Sequence, residues 1–107
     1  ERMTLHDFAD AIMELDIPSV YGYYTEDKAT PYIAYRAIEK NCIYANGIVV
    51  YSEQWMVLEY VSRNRDLDTE RALEMFLTVN KIPFADPECF FDEKQKIHIT
   101  QYEFQLE

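Results

Sequence analysis

Apolar residues recur at helical spacing near the start of the chain, with Leu5, Phe8, Ala9, Ile12 and Leu15 on one stripe and Asp7, Asp10 and Glu14 on the other side. The period predicts an amphipathic helix with one buried face. Thr4 precedes it, with Asp7 in the position a capping box usually gives to Glu. Pro18 biases Ile17 away from helical geometry, so the helix is expected to stop near Leu15 or Asp16. The period then shortens to that of strands. Residues 20–24 read as a short strand, and residues 26–31 as a polar connection. Residues 32–38 read as a second strand with Ile33, Tyr35 and Ala37 on one face.

Asn46 and Gly47 follow Tyr44 and Ala45 between two apolar, aromatic-rich runs. The Asn-Gly pair supplies the positive-φ positions of a tight hairpin turn, the strongest short-range hairpin signal in a single sequence. Residues 48–61 then form a long strand. Trp55, Val57 and Val61 share one parity and Met56, Leu58 and Tyr60 the other, as expected when both faces are partly covered. Glu59 interrupts the first set and is expected to be paired or near an edge. Residues 62–65 break the pattern, and Asp66 or Asp68 can cap a second helix. That helix carries Leu73, Phe76, Leu77 and Asn80 on one stripe, widened by Ala72, Met75 and Val79. A strand-like segment runs from Ile82 to Phe91 with an interruption at Pro87. A last strand, residues 97–106, turns Tyr102, Phe104 and Leu106 inward.

The expected order is helix, three strands, helix, two strands. A helix with a single apolar stripe must bury it on a sheet, which gives an α+β single domain whose largely antiparallel sheet carries two packed helices. Glu1 and Arg2 read as a vector-derived remnant ahead of Met3, leaving residues 3–107 as the domain. With 107 residues, 49% of them hydrophobic, the chain can bury a self-standing core. No apolar run approaches the length of a membrane span and no leader-like segment is seen, so a soluble, intracellular protein without a membrane partner is expected.

Charge narrows the partners. The formal net charge of −10 repels phosphates, so direct nucleic-acid binding is not expected, whereas basic partners and mimicry of DNA stay open. Cys42 and Cys89 lie far apart without metal or redox spacing and read as free thiols in a reducing compartment. His6 and His98 have no spaced partners, and the only two glycines, Gly22 and Gly47, cannot build a phosphate loop. No cofactor, metal or catalytic residue is therefore assigned, and the chain reads as a non-enzyme. The nine tyrosines exceed what so small a core readily buries, which points some of them toward protein contacts.

Seven segments stand out together: Thr4 and Leu5 opening the first helix, Ile17 to Tyr23, Pro31 to Tyr35, Asn41 to Tyr51, Val57 to Ser62, Asp66 to Glu74, and Gln101 to Phe104. In this order they resemble small tail-completion or tail-terminator proteins of long-tailed bacteriophages and prophages. The resemblance spans nearly the whole chain and rests on ordered turns and aromatic positions. It implies a morphogenetic protein that caps or completes the tail tube and joins it to the head. Such a protein forms a homo-oligomeric ring, with the tail-tube protein and head–tail connector proteins as partners. It would act in the host bacterial cytoplasm and then in the virion tail. Ring closure needs two different patches per subunit. The candidates are the polar loop Glu26, Asp27 and Lys28, the turn Tyr44, Asn46 and Gly47, and the acidic stretch Asp86, Glu88, Asp92 and Glu93. The alternative expectation is an acidic phage-encoded inhibitor that imitates DNA and blocks a host nuclease or defence protein. The apolar run Cys89, Phe90 and Phe91 is expected either in buried sheet or in a partner contact.

Overall fold

A computed structural model of the chain describes residues 3–23 and 29–106, and of residues 41, 43 and 50–52 the backbone alone. Its elements follow the expected order. Helix α1 (Leu5–Ile12) continues into a 3-10 turn (Met13–Leu15), then come strands β1 (Ser19–Tyr21), β2 (Tyr32–Ala45) and β3 (Ile48–Ser62), helix α2 (Leu67–Val79), and strands β4 (Glu88–Asp92) and β5 (Ile97–Leu106). The domain is α+β. Its five strands form one sheet in the order β1-β2-β3-β5-β4, antiparallel throughout except that β1 runs parallel to β2.

Both helices start where side chains satisfy their orphan amides. The Asp7 amide donates to Thr4 Oγ1 at 3.2 Å, and Thr69 donates to Asp66 from its amide (3.1 Å) and its hydroxyl (2.6 Å). The first helix ends at Asp16, which turns left-handed at φ 58°, just before Pro18. The cap of α2 is thus Asp66, not Asp68.

One face of the sheet carries the core. Ile33 and Tyr35 of β2, Met56, Leu58 and Tyr60 of β3, and Tyr102, Phe104 and Leu106 of β5 meet Phe8 and Ile12 of α1 and Leu73 and Leu77 of α2. Phe8 is the hinge of this packing, stacked on Phe104 at 4.8 Å and edge-on to Tyr35 at 5.1 Å. Burying side chains of this kind contributes about 1.5–3 kcal/mol each, so these aromatic contacts hold the helices to the sheet. Tyr102 adds a polar tie, its hydroxyl lying 3.1 Å from Glu74 Oε2 and 3.3 Å from the Glu70 carbonyl oxygen.

One strand expectation needs correction. The second strand does not stop at Ile38 but runs to Ala45, because the register shifts between Ala37 and Glu39 and the ladder continues past the bulge. The parity break that suggested an end is the bulge itself. In consequence Ala37 is exposed and lies outside the core that Ile33 and Tyr35 join. On the other side, Phe84 bridges Phe104, and Ala85 and Gln105 exchange backbone bonds with Glu103 and Pro83, so the segment before Pro87 extends the β4 edge.

Beyond the body the β2–β3 ladder runs on alone. The last partner of β5 is Leu106 opposite Gln54, and β1 reaches only Tyr35, so residues 39–53 form a two-stranded arm with no third strand among the described residues. None of the described side chains between Arg36 and Trp55 belongs to the buried core. The arm stretches the molecule to 52 × 27 × 23 Å with a radius of gyration of 15.0 Å. A compact domain of this size has a radius of about 13 Å.

Candidate interaction surface

The arm begins at a stitched base. Gln54 donates its side-chain amide to the Glu39 carbonyl at 2.8 Å and the Trp55 carbonyl at 3.1 Å, at the level where β5 ends. A second shift, between Ile43 and Tyr44, leaves Val50 without a register partner and re-aims the tip. Asn46 and Gly47 close the hairpin at φ 54° and 76°, both left-handed, as the Asn-Gly signal requires. Around that turn Tyr44, Ile48 and Val49 are exposed by 64%, 67% and 48%. Ile38 at the first bulge is exposed as well.

From Asn41 to Ser52 the sequence holds no charged residue, the longest such stretch in a chain that is 28% charged. Sequence reading found the turn but not this neutral run, which is visible in the charge pattern without any structure. It coincides with the part of the arm that leaves the body.

The second face of the sheet, opposite the helices, is polar at its centre. Arg36 on β2 pairs with Glu59 on β3 at 3.0 Å, and its guanidinium lies 5.0 Å from the centre of the exposed Tyr23 ring. Glu59, on a central strand, is paired and not near an edge. Val57 and Val61 on the same face are buried, flanked in register by Arg36, Glu103, Tyr32 and Ile99. Of the tyrosines among the described residues, Tyr21, Tyr23 and Tyr44 are exposed, while Tyr35, Tyr60 and Tyr102 are buried.

The acidic candidates do not converge. Asp86 and Glu88, with Gln101 and Glu103, line a depression of about 90 Å³ on the sheet edge. Asp92 lies at the far end of β4, about 13 Å on from Glu88 by strand rise. Its carboxylate accepts the Lys94 and Gln95 amides at 2.9 and 3.3 Å, which gives it a turn-forming role. Glu93 is exposed beside it. Because Asp92 sits beyond the Ser62 end of β3, it and the Asn46-Gly47 tip occupy opposite ends of the long axis, on the order of 45 Å apart. Glu26, Asp27 and Lys28 lie outside the described residues. Phe90 and Phe91 are half exposed on β4, so the Cys89 to Phe91 run belongs to an edge strand and not to buried sheet.

Two of the other concavities adjoin α2. The larger, about 690 Å³, opens at the start of α2 between Thr30, Ser62, Arg63, Asn64, Asp66 and Asp68. Its charges are mixed and partly spent: Asp66 caps α2, which holds its carboxyl below the ordinary range, and the neighbouring Arg65 pairs with the buried Glu70 at 3.2 Å. The second is a groove of about 440 Å³ between the two helices, lined chiefly by Ala11, Leu15, Met75, Phe76 and Val79. Met75 and Val79, expected to widen the buried stripe of α2, are instead 59% and 68% exposed at this groove.

The histidines are separate from both cavities and from each other. His6 faces Asp10 on the exposed side of α1 at 3.5 Å, and His98 lies 4.9 Å from the Phe91 ring. Among the described residues no three His, Cys, Asp or Glu side chains are grouped as a metal site requires, and no helix is long and apolar enough to cross a membrane. No known protein family matches the chain, and no curated protein is significantly similar to it.

Proposed function

We propose that this chain is a structural subunit of phage tail assembly, a completion or terminator protein that forms a ring at the end of the tail tube and contributes to head–tail joining. The observation that carries the reading is an arm that projects from an acidic body and whose outer run from Asn41 to Ser52 holds no charged residue. None of the described side chains of residues 39–53 joins the core, and a hairpin of this kind is marginal in isolation. Its exposed Tyr44, Ile48 and Val49 are suited to an apolar contact with another protein.

The arm tip and the acidic end of β4 stand at opposite ends of the long axis, so the candidate residues form separate surfaces and not one patch. That separation leaves the arm tip free to meet an unlike patch on another copy, as a ring requires. It weakens the DNA-mimic reading, which calls for carboxylates spaced like phosphates along one face. Here Glu59 is neutralised by Arg36, Asp92 is occupied by turn amides, and the Asp86 and Glu88 pair stands apart.

The test is tail-tube polymerisation. Adding the purified chain to polymerising tail-tube protein of its own phage is expected to shorten the tubes and to leave ring-shaped density at one end in negative stain. Unaltered tube lengths with bare ends would overturn the assignment.

A further inference from the structure

We propose that the arm of one copy docks in the groove between α1 and α2 of the next copy, so that the interhelical groove is the receptor patch of a heterologous self-contact. The inference deepens the assembly reading by naming the partner of the arm, and it rests on that reading only in taking the arm as a contact element.

The first argument is charge. At a formal net charge of −10, two copies repel each other over most of their surfaces, and contact is least opposed where neutral surface meets neutral surface. The run from Asn41 to Ser52 is the longest neutral stretch of the sequence. The groove is its counterpart on the body: of its lining residues only Glu14 carries a charge.

The second argument is shape and chemistry. The arm offers aromatic and β-branched side chains on a narrow ribbon, with Tyr44, Ile48 and Val49 exposed at its end. The groove presents exposed Met75 and Val79 on one wall, and methionine adapts to the shape of an incoming apolar group. Leu15 and Phe76, both half-buried, form its floor.

The third argument is reach. The β2–β3 ladder carries the arm away from the helices, and no described arm residue lines the groove of its own chain. The contact is therefore between copies. It uses two different patches, so it propagates head to tail until a ring closes.

Cross-linking tests the pairing directly. In a chain with Cys42→Ser and Cys89→Ser, the double variant Ile48→Cys with Val79→Cys is expected to form intermolecular disulfides and ladders of cross-linked oligomers under mild oxidation. Each single-cysteine variant should give no ladder. Sedimentation from micromolar to near-millimolar concentration should show self-association that strengthens with added salt, since screening relieves the repulsion while the apolar contact persists.

Ile48→Asp on the arm or Val79→Asp in the groove should each weaken self-association by about tenfold or more. A mixture of the two variants should recover dimers but not longer oligomers, because one intact arm then meets one intact groove. Circular dichroism of both variants checks that they fold. A chain that stays monomeric over this range, an absent cross-link ladder, or association that weakens with salt would overturn the proposal. Capping of tail tubes without the cross-link would remove the groove as receptor and leave the assembly role standing. The cross-link without capping would do the reverse.

Discussion

Replacing Tyr102 by phenylalanine tests how α2 is fastened to the sheet. Tyr102 is fully buried on β5, and its single hydroxyl proton is shared between Glu74 Oε2 at 3.1 Å and the Glu70 carbonyl oxygen at 3.3 Å. A phenylalanine ring fills the same space, so the change removes the hydrogen bond and little else. A bond to a carboxylate sits at the stronger end of the usual range, but the half-buried Glu74 can recover water. A loss of about 1–2 kcal/mol at neutral pH is expected. For a domain of this size that corresponds to a fall in melting temperature of roughly 5–10 °C.

The pH dependence makes the test sharper. Burial pushes the Tyr102 phenol well above its ordinary value of 10.0, and the neighbouring Glu74 charge and hydrogen bond push it the same way. Above about pH 10 the unfolded chain releases this proton while the folded chain keeps it. Stability supplied by Tyr102 is therefore complete below that pH and is lost as pH rises, at up to about 1.4 kcal/mol per pH unit. The Tyr102→Phe variant has no such proton to lose. Tyr35 and Tyr60, whose phenols burial also raises, contribute equally to both proteins and cancel in the difference. Urea unfolding from neutral pH upward should thus show the Tyr102→Phe deficit shrinking and closing by about pH 11. A deficit that stays constant across that range would refute the assigned environment of the hydroxyl.

Asp66→Ala should act at the opposite end of the pH scale. Hydrogen bonds from the Thr69 hydroxyl and amide hold the Asp66 carboxyl below its ordinary 3.8, so its stabilisation is present above the unfolded value and lost as pH falls through the folded one. Acid titration of the melting temperature should be less steep for the variant than for the parent, and identical acid slopes would argue against the cap. Gly47→Ala probes the arm. With φ at +76° and nothing within 4 Å of the added Cβ, the cost is backbone strain alone, about 1 kcal/mol. Hydrogen exchange should quicken at the amides of residues 40–53 and stay unchanged in the core strands. Equal loss of protection across the whole sheet would show that the arm folds as one unit with the body.

Much of the fold was legible because its signals are local. Thr4 and Asp66 cap where their positions suggested, the Leu5, Phe8 and Ile12 stripe packs inward, and Asn46 with Gly47 makes the turn. What eluded the sequence depends on which strands become neighbours. Alternation in residues 48–61 marks a strand but cannot say that β5 stops at Gln54 and leaves the rest unaccompanied. The bulge at Ile38 breaks the two-residue period and so resembles a strand end, although the ladder continues through it. The parallel pairing of β1 with β2 leaves no trace in either segment. At the candidate surface, Tyr44, Asn46 and Gly47 share the arm tip. Asp86, Glu88, Asp92 and Glu93 are close in sequence, yet the extended rise of β4 draws them into two groups.

The arm is costly by the ordinary rules of β-structure, and that cost bears on its purpose. An exposed ladder presents unpaired amides and carbonyls on both sides, and soluble proteins usually guard such edges with charges or proline. This chain has the means, with ten Lys and Arg and twenty Asp and Glu, yet places none of them between Asn41 and Ser52. The β4 edge is treated differently: Pro83 and Pro87 precede its exposed Phe90, and Glu88 and Asp92 bracket it. Protection is thus applied at one edge and withheld at another. Among the described residues the core ends at Met56 on β3 and Tyr35 on β2, short of this unguarded edge. A segment whose described side chains lie outside the core and whose edges carry no charge is consistent with one whose contacts lie in another molecule.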